Sequence, residues 1–341
     1  MTSPLQGGGR RRAFGGLDPS FGPARRRSRI VRVALVVASA VLATVGWLAL
    51  GAAETSDRGA SAALIAPVPR APGAPPAPEG APAAVDLAGP DSLDVKLEKP
   101  PGAGLLFDLD SGEVLWRVHP REELPVASLT KLMTALIVVD RTKPDRKYRI
   151  TRQAIDFSGS AVGLPKGKPV EVESLLAAML VQSGNDAATA LAIGSAGSEK
   201  RFVRLMNEHA KRLGLDCSKF VSPDGLEPDN RSCAADLAAL GRLAMAEPRI
   251  RRVVRQEEAA VPFPIEGGRQ HLATTNPLLK TDYAGTIGLK TGFTERAGPC
   301  LVGVVQRGER TLGVVLIDST DPNRDARELF DRAFREHSER R

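Results

Sequence analysis

The chain has 341 residues and a formal net charge of +7, so it is longer than one average domain and basic as a whole. Residues 1–32 contain eight arginines and one acidic residue, Asp18, and therefore carry the entire charge excess. Because the rest of the chain is neutral in sum, it lacks the positive surface that attracts phosphates, and we exclude nucleic acid as a partner.

The first predicted element is a membrane span at residues 33–53, directly after the basic tail of residues 1–32. The span has no charged residue and is long enough to cross a bilayer. The preceding arginines predict that the N-terminus stays in the cytoplasm and that the remainder is exported. Gly51, Ala52 and Ala53 also offer a signal-peptide cleavage point, but the length of the apolar run favours a retained anchor.

Residues 54–99 are predicted to be a linker, and residues 100–341 the folded domain. The linker is rich in proline, alanine and glycine. This composition favours an extended, mobile chain over a packed core. We expect the linker to hold the folded domain away from the membrane surface.

The folded domain is predicted to have strands near both ends and helices between them. A hairpin is expected at residues 105–116 around an Asp-Ser-Gly turn, and an apolar helix begins at Ser128. Further helices are expected at 171–180, 201–213, 236–246 and 328–334, and further strands at 285–289, 301–305 and 312–317. This order predicts an α+β fold, in which the N- and C-terminal segments form one sheet and the helices pack against it.

Three short motifs in this domain predict one active site for acyl transfer. They are Ser128-Leu129-Thr130-Lys131, Ser183-Gly184-Asn185 and Lys290-Thr291-Gly292. A serine hydroxyl is a weak nucleophile until a base removes its proton, and Lys131 lies one helical turn from Ser128. Each motif alone arises readily by chance. Together they stand in order at a helix start, in an inter-helix loop and on a late strand, which favours a catalytic role.

The chemistry of acyl transfer assigns a role to each motif. Ser128 is the predicted nucleophile and Lys131 the base, provided that burial and the nearby charge of Lys290 lower the pKa of Lys131. Ser183 is predicted to relay a proton toward the leaving group, and Asn185 to hold Lys131 and the substrate amide.

The third motif is predicted to bind the substrate. Lys290 and Thr291 suit a carboxylate, and Gly292 allows the substrate backbone to approach closely.

Longer segments around the motifs resemble the serine-type D-Ala-D-Ala carboxypeptidases, the low-molecular-mass penicillin-binding proteins. The similar segments are Ala127–Ala135, Ser183–Ala188, Phe220–Leu226, Thr275–Leu279 and Gly288–Thr294. The resemblance covers residues 100–334 and implies a β-lactamase/transpeptidase-like fold. It also implies an enzyme that removes the terminal D-alanine from peptidoglycan stem peptides through an acyl-enzyme, and that β-lactams acylate at the same serine.

The resemblance implies further site residues and a location. The oxyanion hole would use the backbone N–H groups of Ser128 and Phe293, and Arg324 would help to bind the substrate carboxylate. No cofactor and no metal ion is expected. The predicted location is the bacterial cell envelope, at the outer face of the cytoplasmic membrane with the N-terminus inside, or outside the cell if residues 33–53 are cleaved.

Several alternatives remain open at this point. A D,D-endopeptidase acting on cross-linked peptides would attack the same carbonyl. A class A β-lactamase shares the three-motif layout, and Glu227 could serve as its deacylating base, although we interpret Glu227 as part of a solvated turn. A zinc peptidase is disfavoured because the four histidines are scattered. An inactive peptidoglycan-binding protein is disfavoured by the intact Ser128, Lys131 and Lys290.

Three cysteines, at positions 217, 233 and 300, suit an exported domain that does not depend on disulfides. Cys217 and Cys233 enclose a short loop, and a disulfide there would stabilise the fold by about 3 kcal/mol. The sequence leaves open whether the two residues form this disulfide or remain free thiols.

Overall fold

The computed structural model describes residues 84–156 and 159–339. Its strands are β1 (Ala103–Asp108), β2 (Val114–Val118), β3 (Leu124–Pro125), β4 (Lys147–Arg149), β5 (Pro169–Glu171), β6 (Arg231–Ser232), β7 (Glu258–Pro262), β8 (Arg269–Ala273), β9 (Thr286–Thr294), β10 (Gly298–Arg307) and β11 (Arg310–Ile317). Its α-helices are α1 (Lys131–Arg141), α2 (Val172–Leu180), α3 (Asn185–Ala196), α4 (Glu199–Leu213), α5 (Ala234–Ala246), α6 (Pro248–Val254), α7 (Pro277–Lys280) and α8 (Pro322–Glu339). Short 3-10 helices span Ala127–Thr130 and Gln153–Ile155.

The main sheet has five strands in the order β2-β1-β11-β10-β9, and all of its pairings are antiparallel. β1 from the start of the domain pairs with β11 from its end, with Ala103 opposite Ile317. The sheet therefore joins the N- and C-terminal segments, and the predicted α+β fold is confirmed.

The two faces of this sheet are covered by different elements. Successive strand residues point to opposite faces, so Leu105 and Val302 belong to the large core that includes α1 to α6. Leu106 and Leu301 belong to a second buried cluster, which contains Phe330 of α8. The sheet is thus a central layer between the helical cluster and α8, and β9 forms one of its edges.

Residues 84–99 differ from the predicted linker, because they pack against the sheet. Leu93 and Leu97 are buried, the Leu93 N–H donates to the Leu115 carbonyl at 2.9 Å, and the Trp116 indole donates to the Val95 carbonyl at 2.9 Å. The physical reason is the alternation of Leu93, Val95 and Leu97, a pattern typical of a half-buried extended segment. The folded part therefore includes residues 84–99.

The predicted tail, the predicted membrane span at 33–53 and the linker up to residue 83 lie outside the described residues. Within 84–156 and 159–339, no helix combines the length and apolar character that a bilayer crossing requires.

Candidate active site

Ser128 lies in the 3-10 turn Ala127–Thr130, directly before α1, rather than inside the α-helix itself. The preceding residue, Ala127, has a left-handed backbone (φ 47°), a conformation that is costly outside glycine and concentrates at functional sites. Two glycines approach this turn closely. A Cβ at Gly225 would lie 1.9 Å from the Ala127 carbonyl oxygen, and a Cβ at Gly292 would lie 3.1 Å from the Ser128 nitrogen. The position of Gly225 therefore requires glycine, and at Gly292 a side chain would have to displace the turn by a few tenths of an ångström.

Lys131 is fully buried and its amine faces three oxygen atoms. The Nζ atom lies 2.8 Å from Ser128 Oγ, 2.8 Å from Asn185 Oδ1 and 2.7 Å from the Asp224 carbonyl oxygen. A neutral amine has two N–H donors and one lone pair. Donation to Asn185 and Asp224 leaves that lone pair for the Ser128 hydroxyl proton, which is the geometry of a general base.

The environment of Lys131 makes its neutral form more accessible than that of an ordinary lysine. Burial lowers the pKa of Lys131 from 10.5 to about 8, against the charges of Asp224 and Asp186, which raise it. Burial, and then the charge of Lys131, hold the pKa of Lys290 well below its usual value. Desolvation is thus the main cause for both lysines. Burial was predicted from the sequence to lower the pKa of Lys131, whereas the predicted contribution of the Lys290 charge is not among the causes that shift it.

The second motif connects α2 to α3, as predicted. Ser183 has a left-handed backbone (φ 65°), and Asn185 is the first residue of α3. The next residue, Asp186, is buried, and its carboxylate accepts hydrogen bonds from the backbone N–H groups of Val162 and its two successors. These bonds fix the loop of residues 159–164 beside the motif.

The third motif lies on the edge strand β9. Lys290 Nζ donates to Ser183 Oγ at 2.9 Å and to the Thr291 carbonyl at 2.8 Å. The lysine therefore ties the second motif to the third. The Thr291 hydroxyl lies 2.6 Å from the hydroxyl of Thr275, so two hydroxyl groups stand side by side on this wall of the site.

The predicted oxyanion hole follows from the register of β9 and β10. Phe293 is opposite Pro299, and the Pro299 carbonyl accepts from the Ser319 N–H, on the β11 side of β10. The pair is therefore of the non-hydrogen-bonded type, so the Phe293 N–H points away from β10 toward the free edge of β9. Since Gly292 approaches the Ser128 nitrogen from this same strand, both predicted donors are at the edge of the site.

Two groups in the site were not predicted, although the segments that contain them were noted as similar to the carboxypeptidase family. The Asp224 carbonyl holds Lys131, and its loop is braced by bonds from Ser222 Oγ and the Leu226 N–H to Asp224 Oδ1. The Thr275 hydroxyl pairs with Thr291. The similarity of these segments to the carboxypeptidase family was the available signal, but similarity assigns no role to a backbone carbonyl.

Comparison with known proteins places this site in a family. A family model described as D-alanyl-D-alanine carboxypeptidase matches residues 97–321, which contain all three motifs. The chain belongs to this family.

Curated relatives in the family carry two activities in their names. The chain is 33% identical to a D-alanyl-D-alanine carboxypeptidase of Bacillus subtilis over 69% of its own length and 62% of that protein. It is 31% identical to a D-alanyl-D-alanine endopeptidase of Escherichia coli over 64% of its length and 71% of that protein. The chain thus spans less than two thirds of the Bacillus relative.

Solved structures of the family agree with the fold. A D-alanyl-D-alanine carboxypeptidase from Mycobacterium tuberculosis superposes with a TM-score of 0.67 at 30% identity, covering 71% of this chain and 94% of that one. A mutant Streptomyces DD-transpeptidase gives a TM-score of 0.65 at 30% identity, covering 70% of this chain and 99% of that one. The predicted β-lactamase/transpeptidase-like fold is confirmed.

Two residues considered from the sequence lie apart from the network of the three motifs. The Arg324 guanidinium binds Glu98 Oε2 at 3.2 Å and Asp325 Oδ1 at 3.1 Å at the start of α8, so its role at a substrate carboxylate stays a prediction.

The Glu227 side chain is exposed, and its backbone carbonyl accepts a hydrogen bond from Asn230. Exposure fits a solvated turn better than the buried base of a β-lactamase. Membership of the carboxypeptidase family likewise favours serine peptidase chemistry over a zinc site.

Cys217 and Cys233 form a disulfide, with their Cα atoms 5.6 Å apart. The disulfide closes the segment that contains Asp224 and Gly225. The Asp224 carbonyl accepts a hydrogen bond from Lys131, and Gly225 packs against Ala127 in the turn of the nucleophile. Cys300 is buried as a free thiol, and burial raises its pKa to about 12. The disulfide therefore belongs to the support of the site, while Cys300 belongs to the core.

Proposed function

We propose that this chain is a serine D-Ala-D-Ala carboxypeptidase that trims terminal D-alanine from peptidoglycan stem peptides and is inhibited by β-lactams. The observation that carries the proposal is the buried Lys131 amine, held by Asn185 and Asp224 with its third contact on Ser128 Oγ. Family membership supports the same reaction.

Acylation begins at Ser128. Lys131 accepts the hydroxyl proton while Ser128 Oγ attacks the carbonyl carbon of the penultimate D-alanine. The negative charge that develops on the carbonyl oxygen is stabilised by the N–H groups of Ser128 and Phe293, which need no rearrangement during the reaction. The Lys131 ammonium is meanwhile stabilised by the Asn185 and Asp224 oxygens.

Collapse of the tetrahedral intermediate breaks the C–N bond and releases the terminal D-alanine. Its amine needs a proton, which Lys131 gained from Ser128 and which the Ser183 hydroxyl can relay. Lys290 holds that hydroxyl at 2.9 Å. Water then attacks the acyl-enzyme ester with Lys131 again as the base, and Ser128 regains its proton.

The terminal carboxylate of the substrate fits the wall formed by Thr291 and Thr275. Both residues are half-buried and their hydroxyl groups are in contact, whereas Lys290 is buried. A carboxylate placed there would favour the charged form of Lys290, because an opposite charge at close range raises a depressed lysine pKa. Substrate binding would thus favour the charged form of a lysine whose pKa burial lowers.

The test uses the purified full-length protein, a fluorescent penicillin and a stem pentapeptide. We expect covalent labelling and D-alanine release, both lost in Ser128→Ala, while circular dichroism shows an unchanged fold. Lys131→Ala is expected to be nearly as damaging. Labelling and release that persist in Ser128→Ala would contradict the assignment of the nucleophile.

D,D-endopeptidase activity is a second candidate, favoured by the similarity to the E. coli endopeptidase. Both activities attack the same D-alanine carbonyl and differ only in the leaving group. Incubation with a pentapeptide and with cross-linked dimers separates them. Faster cleavage of dimers than release of free D-alanine would favour the endopeptidase.

We also propose that residues 33–53 anchor the enzyme in the cytoplasmic membrane of a bacterium, with the catalytic domain outside. The support is the uncharged run between an arginine-rich tail and the folded domain. Alkaline extraction of membranes, followed by N-terminal sequencing of the mature protein, tests this. A soluble product that begins after Ala53 would instead identify a cleaved signal peptide.

A further inference from the structure

Positive charge on the folded domain is concentrated in one short part of the chain. Residues 141–152 contain six basic residues and one acidic residue, Asp145, and Lys166 and Lys168 add two more positive charges. The neutral sum of the chain after residue 32 conceals this local excess. The exclusion of nucleic acid as a partner then depends on the proposed export of the domain.

The two-stranded sheet of β4 and β5 presents part of this charge to solvent. Tyr148 of β4 is buried, and a Cβ at Gly194 of α3 would lie 2.2 Å from its ring. Because successive strand residues point to opposite sides, the exposed Arg149 points away from α3. Its Nη1 atom donates to the Gly167 carbonyl at 2.6 Å, which brings the two lysines that flank Gly167 beside it.

The turn before β4 belongs to the same surface. The Arg146 N–H donates to the Lys143 carbonyl at 3.2 Å, and the Arg146 carbonyl accepts a hydrogen bond from the Val172 N–H at 2.7 Å, next to β5. We define the basic face as the exposed side chains that these contacts bring together, namely Lys143, Arg146, Arg149, Lys166 and Lys168.

The carboxylates beside the basic face are paired with other cations. Glu171 pairs with Lys147 at 3.2 Å, and Glu173 pairs with Arg249 at 2.9 Å. Within residues 84–156 and 159–339, no ion pair includes a member of the basic face. Asp145 is the acidic residue in the turn itself. The basic face therefore keeps an excess of positive charge, which attracts an anionic surface.

The basic face and the nucleophile are at opposite ends of α1. Ser128 lies before this helix, and Lys143 follows its last residue, Arg141, by two positions. A helix of 11 residues is about 16 Å long. A surface bound to the basic face would therefore leave the Ser128 cleft open on the far side of the domain.

The described chain begins near the basic face. The Ala84 carbonyl accepts a hydrogen bond from Arg242 Nη1 at 2.8 Å, in the C-terminal half of α5. The next helix, α6, follows α5 directly, and Arg249 near its start donates to the Thr142 carbonyl at 2.7 Å. Thr142 is the neighbour of Lys143 in the chain. The segment from the predicted membrane span thus joins the domain at the end that carries the basic face.

The length of that segment favours a lipid partner. About 30 residues separate the predicted span at 33–53 from Ala84. A flexible chain of this length has an r.m.s. end-to-end distance of about 30 Å, and a proline-rich extended one reaches about 90 Å. Either linker keeps the membrane within reach of the basic face, so that docking becomes an intramolecular event. An anionic polymer of the cell wall has no such attachment.

We infer, resting on the proposed membrane anchor, that the basic face binds anionic phospholipid headgroups of the membrane in which residues 33–53 are inserted. The lysine and arginine side chains lie against the lipid phosphates, and the Ser128 cleft faces away from the bilayer. The linker then limits how far the domain can travel, instead of holding it at a distance from the membrane.

The test uses the full-length protein inserted in lipid nanodiscs of phosphatidylcholine, with or without the anionic phosphatidylglycerol. Acetylation by a water-soluble reagent, measured by mass spectrometry, reports the exposure of each lysine. We expect the three lysines of the basic face to react about tenfold more slowly in the anionic discs. The exposed Lys280 of α7 should react equally in both. Concentrated salt should abolish the difference, because it screens exposed charges.

Variants connect this protection to the basic face. Arg146→Gln combined with Lys168→Gln should lower the docked-to-undocked ratio about 25-fold, since each cation at an anionic membrane contributes about fivefold. The two remaining lysines should then react nearly as fast as in phosphatidylcholine. Lys280→Gln combined with Arg335→Gln removes two exposed cations elsewhere. This matched control should keep the protection.

Equal acetylation in the two kinds of disc would overturn the inference and leave the anchor and the catalytic function intact. Protection that arises only when soluble poly(glycerol phosphate) is added would identify a wall polymer as the partner and overturn the inference as well. D-alanine release from a soluble pentapeptide should be equal in both discs, and its loss in the anionic discs would overturn the orientation of the cleft. Protein that does not stay with phosphatidylcholine discs would overturn the proposed anchor, and the inference with it.

Discussion

The pH dependence of penicillin acylation tests whether burial of Lys131 creates the catalytic base. Only the neutral amine can accept the Ser128 proton, and burial lowers the pKa of Lys131 from 10.5 to about 8. A group with this pKa is neutral in about a tenth of molecules at pH 7 and in about nine tenths at pH 9. The second-order rate constant for acylation should therefore rise about tenfold between pH 7 and pH 9, with a midpoint near 8.

The assay follows covalent labelling by a fluorescent penicillin under pseudo-first-order conditions, after subtraction of spontaneous β-lactam hydrolysis at each pH. Asp224→Asn provides the matched perturbation. The Asp224 charge raises the pKa of Lys131, and an asparagine keeps the Oδ1 acceptor for Ser222 and Leu226. The midpoint should move to lower pH in this variant. A rate independent of pH between 7 and 9, or a midpoint near the ordinary lysine value, would refute the reasoning.

Three further predictions concern the groups around the nucleophile. Gly292→Ala should slow acylation by about 10²-fold, the effect of removing one oxyanion donor. The reason is that the new Cβ would lie 3.1 Å from the backbone nitrogen of the nucleophile. The control is Gly89→Ala, where a Cβ meets nothing within 4 Å, and this variant should be labelled at the normal rate. Thr275→Val should lower kcat/KM about tenfold for a peptide with a free terminal carboxylate, the effect of one hydrogen bond to a charged group. An equal loss of kcat/KM on the same peptide with its terminal carboxylate capped as an amide would contradict this role. Replacing both Cys217 and Cys233 by serine should lower the free energy of unfolding in urea by about 3 kcal/mol, and a reducing agent should reproduce this loss in the unmodified protein but have no effect on the double variant.

The predicted α+β fold followed from features that are local in the chain. The hairpin at residues 105–116, the apolar helix after Ser128 and the late strands each show a hydrophobic period of their own. The order of these elements then restricts the topology, since strands at both ends can bury their apolar faces together only in one sheet. The β7–β8 hairpin was missed because its strands show no clear period. The packed residues 84–99 were missed for a different reason, since their alternating Leu93, Val95 and Leu97 stand at the end of a stretch rich in proline and alanine, whose composition predicts a linker.

The sequence by itself determined which chemistry is available. The pairing of Ser128 with Lys131 depends only on residue type and helical spacing, and the order of the three motifs identified a serine acyl-transfer site. The tertiary structure decided how that chemistry is activated. Lys131 meets the Asp224 carbonyl across 93 residues and Lys290 meets Ser183 across 107, and a backbone carbonyl leaves no side-chain signature in a sequence. The low lysine pKa values likewise require burial, and burial exists only after the helices have packed against the sheet.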